Sequence, residues 1–455
     1  MKFIRIILIL AFWIGSHNAF AQPGTCVFAY IAGEFDEALK LCAKEAEQGN
    51  TQAMLNLAYM HEQGLGVPQS EPEAVNWYRK AAEKSDRKAM TILGIQHPNC
   101  PRLPAGQTDA LMCFVQSAEI GVSNAMYYLG VMYLNGMGAP PDFPVAFQWF
   151  QRAARVKNKK AMAALGLKES GCEGLPEDNN RALECFRTAA EKGSTQAMFN
   201  LGHIYAKGLG VLLNYAEAVR WYMKAAEHGD PPALTLLGLI KSDCKTLPPD
   251  DEGAVQCFIR TAEDGSKPAM YHLGIMYDGG VRVPKDPLEA IKWHRRAAKA
   301  DYWDSVVALG LEQSRCNNLP ADDAAGLQCF LKAAVLGNLK AILSLALMYA
   351  SGEGVTQNYA EAAKWYGQAA EQGSTRGMVE LGQLYEQGNG VNKNEAEAAN
   401  WYRKATRVNY ARAQYLLGRL YAEGRGVEKN ATEAQALFKK AAEQGDPDAK
   451  AELGE

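Results

Sequence analysis

Residues 196–230 read QAMFNLGHIYAKGLGVLLNYAEAVRWYMKAAEHGD, and the fold follows from this stretch. Ala197, Leu201 and Tyr205 recur at i, i+4 and i+8 with Gly202 beside them, which makes one apolar stripe on a first helix. Gly208 and Gly210 punctuate a loop, where the backbone leaves a helix or needs positive φ. Ala218, Trp221, Tyr222 and Ala225 mark the buried stripe of a second helix, which ends at Gly229-Asp230. Small residues at Gly202, Ala218 and Ala225 permit close helix approach, with Trp221 filling the remaining volume. The unit is a helix–loop–helix hairpin.

Leu201-Gly202 is one member of a series. Leu-Gly or Leu-Ala returns every 36 residues, from Leu57-Ala58 through Leu93-Gly94, Leu129-Gly130 and Leu165-Gly166 to Leu453-Gly454, without an inserted or deleted residue. A fixed period in this range marks a solenoid, whose units bury their apolar faces by stacking on one another. The expected fold is an all-α, superhelical α/α solenoid with about 11 full units and partial units at its ends. The pattern A-x-x-x-L-G-x-x-Y-x-x-G-x-G-V followed by A-x-x-W-Y-x-x-A-A-x-x-G closely resembles the Sel1-like repeat, a relative of the tetratricopeptide repeat. The resemblance covers residues 53–455. It implies a scaffold whose first helices line a concave face that grips partners.

The 455 residues are 48% hydrophobic and 22% charged with a net charge of −3, which excludes a disordered chain and a basic nucleic-acid binder. Lys2 and Arg5 precede an apolar run from Ile6 to Gly15, and Ala19-Phe20-Ala21 reads as a cleavage site. The expected organisation is a signal peptide over 1–21 cleaved after Ala21, a capping hairpin over 22–52 and one solenoid domain over 53–455. No later run is long enough to span a membrane, so the mature chain is expected in the periplasm or outside the cell.

Export changes the reading of ten cysteines. Cys100 and Cys113, Cys172 and Cys185, Cys244 and Cys257, and Cys316 and Cys329 share one spacing and recur every 72 residues. The first member of each pair stands where other units have Gly64, Gly136, Gly208 and Gly280, and the second where they have Trp77, Trp149, Trp221 and Trp293. Gly and Trp change together to Cys and Cys, so the two positions are expected to touch, as a ring on glycine or as a disulfide. Cys26 and Cys42 flank the capping hairpin, and elimination pairs them. Zinc and thiol redox chemistry favour C-x-x-C, which does not occur. No metal and no cofactor are expected.

Cysteine-bearing Sel1-like repeats in exported proteins are also similar to the Helicobacter cysteine-rich family, some of whose members bind penicillins and hydrolyse β-lactams. Their cysteines are closely spaced and bridge the second helix of one unit to the next helix, whereas here C-x12-C falls within a unit. Ser85-Asp86-Arg87-Lys88 matches S-x-x-K, but at a turn between repeats and without S-D-N or K-T-G. The repeated G-x-G loops follow helices and lack a Walker lysine. No catalytic residue is assigned and the chain is read as non-enzymatic.

The site three residues after the leading Ala of each first helix varies most: Asn56, Tyr128, Asn200, His272, Ser344 and Glu380. The preceding site carries Leu55, Tyr127, Phe199, Tyr271, Leu343 and Tyr415. These residues either pack between adjacent hairpins or form a ladder of anchors for an extended peptide or a partner helix. The functional expectation is an exported interaction scaffold with a protein or peptide partner and no nucleic acid. A β-lactam- or peptidoglycan-directed activity and a secreted host-contact role are the alternatives.

Overall fold

The computed structural model describes residues 24–240, 244, 246–316 and 318–454. The leader segment 1–21 and Gln22 lie outside the described residues. Those residues form helices and no strand. Second helices begin on a capping side chain in register with the repeat, except Gln107–Glu119, which starts behind Gly106. Ser70, Asp142, Asp178, Asn214, Asp250, Asp286, Asp322, Asn358, Asn394 and Asn430 each accept a bond from a backbone N–H of the first turn. The chain divides into two compact units, residues up to Asn200 and residues from Leu201 onward. The first unit opens on the hairpin of Cys26–Ala32 and Phe35–Glu47. Cys26 and Cys42 stand at disulfide-bonding distance across it, with Cα atoms 4.5 Å apart.

Two kinds of repeat alternate through the cysteine-bearing region. In cysteine-free repeats the first helix runs 13 residues, as in Ser123–Asn135, Thr195–Lys207 and Lys267–Gly279, and the glycine of Leu-Gly sits inside it. In cysteine-bearing repeats the first helix is cut to Arg87–Leu93, Lys159–Ala164, Pro231–Leu236 or Trp303–Ala308. The Leu-Gly glycine now ends it: Gly94, Gly166, Gly238 and Gly310 adopt φ of 74°, 75°, 80° and 73°. The following residue donates its N–H to the carbonyl five back, as in Ile95 to Met90 and Leu167 to Met162 at 2.9 and 2.8 Å. This is a Schellman stop, with an apolar residue buried just beyond the glycine.

The loop that replaces the lost helical turns is fixed twice. Leu103, Leu175, Leu247 and Leu319 are buried, and the cysteines at 100, 172, 244 and 316 reach back to 113, 185, 257 and 329, with Cα separations of 5.8, 6.1, 6.3 and 6.0 Å. The repeats are therefore of two kinds. The Gly-to-Cys, Trp-to-Cys exchange accompanies a different backbone path.

The expected ring-on-glycine contact is corrected. A Cβ added at Gly64 or Gly208 would meet Gln69 or Val211 and Leu213, with no tryptophan among its nearest neighbours. The ring that rests on glycine is the next residue along the second helix, and the glycine is that of Leu-Gly. Phe150 covers Gly130, Tyr222 covers Gly202, His294 covers Gly274 and Tyr402 covers Gly382. Trp221 is only half-buried, and Lys224 lies over its ring at 4.3 Å, as Lys80 lies over Trp77 at 3.8 Å. Gly202→Val would drive two methyl groups into the Tyr222 ring. It should destabilise the second unit by about 1–3 kcal/mol, read by thermal denaturation. An unchanged midpoint would contradict the packing.

Candidate functional site

The first helices carry the face on which a partner was expected. Five of the six expected anchors are buried within it: Asn56, Tyr128, Asn200, His272 and Ser344, while Glu380 is half-buried. Their partners explain why. Asn56 accepts from Gln52 at 3.0 Å and donates to the Cys26 sulfur of the hairpin before it, and Asn200 donates to the Leu165 carbonyl of the preceding repeat at 3.0 Å. The His272 ring nitrogen Nδ1 lies 2.7 Å from the Pro268 carbonyl, and burial lowers its pKa to about 4. Burial raises the Glu380 carboxyl, opposed by Arg376 and Arg412. At Asn56 and Asn200 this position is bonded to the preceding hairpin.

In the first unit the face is closed by one polar cluster. Lys160, on the short helix Lys159–Ala164, donates to Tyr128 Oη at 2.9 Å, pairs with Glu62 and lies 3.6 Å from Glu71. Tyr78 donates to Glu62 at 2.8 Å, and Tyr127 bonds the Glu71 carboxylate. Burial pulls the Lys160 ammonium down, but Tyr128, Glu62 and Glu71 outweigh it and hold the group above its ordinary range. Burial, with the same two glutamates, pushes Tyr128 up to about 12 against the opposing pull of Lys160.

In the second unit the face is open. A cleft of about 620 Å³ lies among Lys267–Gly279, Trp303–Ala308, the first turns of Leu339–Ser351 and Thr375–Gln387, and the start of Tyr215–Glu227. Tyr271 forms one wall, with Tyr302 5.4 Å and His294 5.6 Å from its ring centre. Leu343, Ile275 and Ile291 give an apolar floor, and Lys340 and Arg376 stand at the rim. Tyr302 hydrogen-bonds Asp304. Burial, reinforced by His272 and Lys340, lowers the His294 pKa to about 3. Such a lining can hold an apolar, anionic segment.

Among the described residues no group of three or more His, Cys, Asp and Glu could hold a metal, and no helix is long and apolar enough to cross a membrane. Ser85 is exposed in a left-handed turn at φ 62°, and Asp86 caps the next helix through the Ala89 N–H at 3.0 Å. That turn lies between repeats.

The Sel1 repeat family model matches residues 51–86, 123–157, 159–194, 195–230, 231–266, 267–302, 306–338, 339–374, 375–410 and 411–446. The chain belongs to the Sel1 repeat family. Sel1 repeats are generally protein-interaction modules. Among solved structures, this Sel1 repeat protein is similar to c5321 of uropathogenic Escherichia coli, described as a protective antigen with an SLR fold. Identity is 29% over 91% of this chain and 89% of that one, with a TM-score of 0.34. A Sel1 repeat protein from Oxalobacter formigenes shares 39% identity over 28% of this chain and 96% of its own, with a TM-score of 0.27. Cysteine-rich protein B of Helicobacter pylori shares 32% over 28% and 92%, with a TM-score of 0.24. No curated protein matches the chain.

Sequence reading missed Lys160, Lys340, Arg376 and His294. The signal was a column at one repeat position, holding Lys160, Lys340, Arg376 and Arg412 at multiples of 36 residues. Arg412 is taken up by Asp446 and Asp448. Lys340 and Arg376 border the cleft.

Proposed function

We propose that this Sel1 repeat protein is an exported, non-catalytic scaffold that holds a protein or peptide partner on the first-helix face of its second unit. The observation that carries this reading is the open cleft of about 620 Å³, walled by Tyr271 and bordered by Lys340 and Arg376. Tyrosine and arginine are enriched where binding energy concentrates, because each combines large contact area with directed polar groups. The second-helix face offers less, since its Trp221, Trp293 and Trp401 rings already lie under Lys224, Arg296 and Lys404. Export accords with five cysteine pairs at disulfide distance, which suit an oxidising compartment.

The test is a photo-crosslinking side chain placed at Tyr271 or at the exposed Arg220 of the second-helix face. A partner is expected to crosslink from 271 and not from 220. Crosslinking from 220 alone would overturn the assignment.

A further inference from the structure

The two units share one register, so each position of the first repeats has a counterpart six repeats later. Along that register Lys160 becomes Arg376, Glu62 becomes Asp278 and Glu71 becomes Pro287. Tyr127, Tyr128 and Tyr78 become Leu343, Ser344 and His294. In the first unit these six side chains close on one another through the Lys160 ion pairs and the tyrosine hydroxyls. In the second unit their counterparts line the cleft.

The volume follows from the exchange of two tyrosine rings for a leucine and a serine. The charge follows as well. Two glutamates around one ammonium become one shorter carboxylate, and Lys340 adds a second cation where the first unit has Asn124. Arg376 makes no ion pair among the described residues. Glu380, one turn further along its helix, acts on it only electrostatically and is itself half-buried. His294 is 7% exposed and its Nδ1 has no hydrogen-bond partner. Tyr78, its counterpart, donates to Glu62. The second unit thus keeps the cation, opens a cavity beside it and has no carboxylate in the place of Glu71, while Asp278 and Asp304 line other parts of the cleft.

We infer that the cleft seats a glutamate side chain from an extended segment of the partner, its carboxylate taking the place that Glu71 fills in the first unit. Arg376 receives it, since a planar guanidinium matches a carboxylate with two parallel bonds where an ammonium offers a point charge. Apolar residues flanking that glutamate pack on Leu343, Ile275 and Ile291. The inference rests on the first-helix face being the partner surface.

The substitution that tests it is Pro287→Glu. Pro287 opens the helix Pro287–Lys299 behind the cap Asp286, as Glu71 opens Glu71–Glu83 behind Ser70. A glutamate suits that first-turn position, so the variant should fold while supplying its own carboxylate. Fluorescence anisotropy of the oxidised full chain would use short Gly-Ser-rich peptides centred on Leu-Glu-Leu or Leu-Gln-Leu. The glutamate peptide should bind about tenfold or more tighter than the glutamine peptide, the ratio of a charge-assisted pair to a neutral one. Pro287→Glu and Arg376→Gln should each remove that preference, while Lys439→Gln on an exposed second-helix position should keep it. Equal binding of the two peptides to the wild-type chain, no binding of either, or a preference unchanged in Pro287→Glu would overturn the inference. Equal binding with crosslinking still from Tyr271 would sink the carboxylate seat alone. Crosslinking only from Arg220 would remove the face itself.

Discussion

Reduction of the oxidised chain should loosen the four loops after Gly94, Gly166, Gly238 and Gly310 while the neighbouring helices persist. Each of these loops closes through cysteines 13 residues apart. A closed loop of that size removes about 3 kcal/mol of chain entropy from the unfolded state. In a stacked array that cost is felt locally, because each repeat leans only on its neighbours. Amide exchange in the four loops should therefore rise by about a hundredfold on reduction. Residues 123–135, whose helix carries its own backbone bonds past Gly130, should change far less. Equal acceleration in both kinds of repeat would show that the disulfides do not substitute for missing helix.

That contrast also marks where the sequence could be read and where it could not. Leu-Gly or Leu-Ala every 36 residues located the helix pairs from Thr51 onward, because the leucine packs inward and, within the long first helices, the glycine lets a ring close on it. The dipeptide has a second use that the period conceals. Gly202 lies within a helix and Gly94 ends one, and the difference is decided by residues downstream. Ile95, Leu167, Leu239 and Leu311 supply the apolar residue of the Schellman stop. Leu103-Pro104, Leu175-Pro176, Leu247-Pro248 and Leu319-Pro320 then fix the loop, since a proline disfavours helix at the residue before it. Both signals repeat every 72 residues beside the cysteines. They were legible, but a search for one common unit averaged them away.

The cluster around Lys160 is a different case. Lys160 meets Glu62 across a sequence separation of 98 residues, which depends on how successive hairpins turn relative to one another. No local pattern encodes that turn. The charge column could be read, but which of its members would find a carboxylate could not. The expected anchors are a related case. Asn56 bonds the Cys26 sulfur and Asn200 the Leu165 carbonyl, so this repeat position meets a different neighbour in each repeat, and its variation along the chain was equally compatible with surface recognition.

Acid should destabilise the second unit well before its carboxylates are fully protonated. His272 and His294 are buried, with pKa values lowered from 6.5 to about 4 and about 3 by that burial, opposed at His272 by the Pro268 carbonyl and reinforced at His294 by His272 and Lys340. Both are neutral in the folded chain at neutral pH. As pH falls below 6.5 the unfolded chain takes up protons that the folded chain refuses, so stability falls with pH down to the folded pKa values. Near pH 4.5 each histidine should have cost on the order of 2–3 kcal/mol relative to pH 7. Denaturant unfolding of wild type and His272→Gln between pH 7 and pH 4.5 checks this. The wild type should lose more stability over that range than the variant. Parallel losses would mean that His272 titrates as freely folded as unfolded.

Disulfide-closed repeats alternate with fully helical ones through the cysteine-bearing region, and the short helix Trp303–Ala308 that lines the cleft belongs to the closed kind. Mass spectrometry of a nonreduced digest tests it directly. The expected linkages are 100–113, 172–185, 244–257 and 316–329, each within one repeat. A dominant linkage between repeats, such as Cys113 to Cys172, would contradict this alternation.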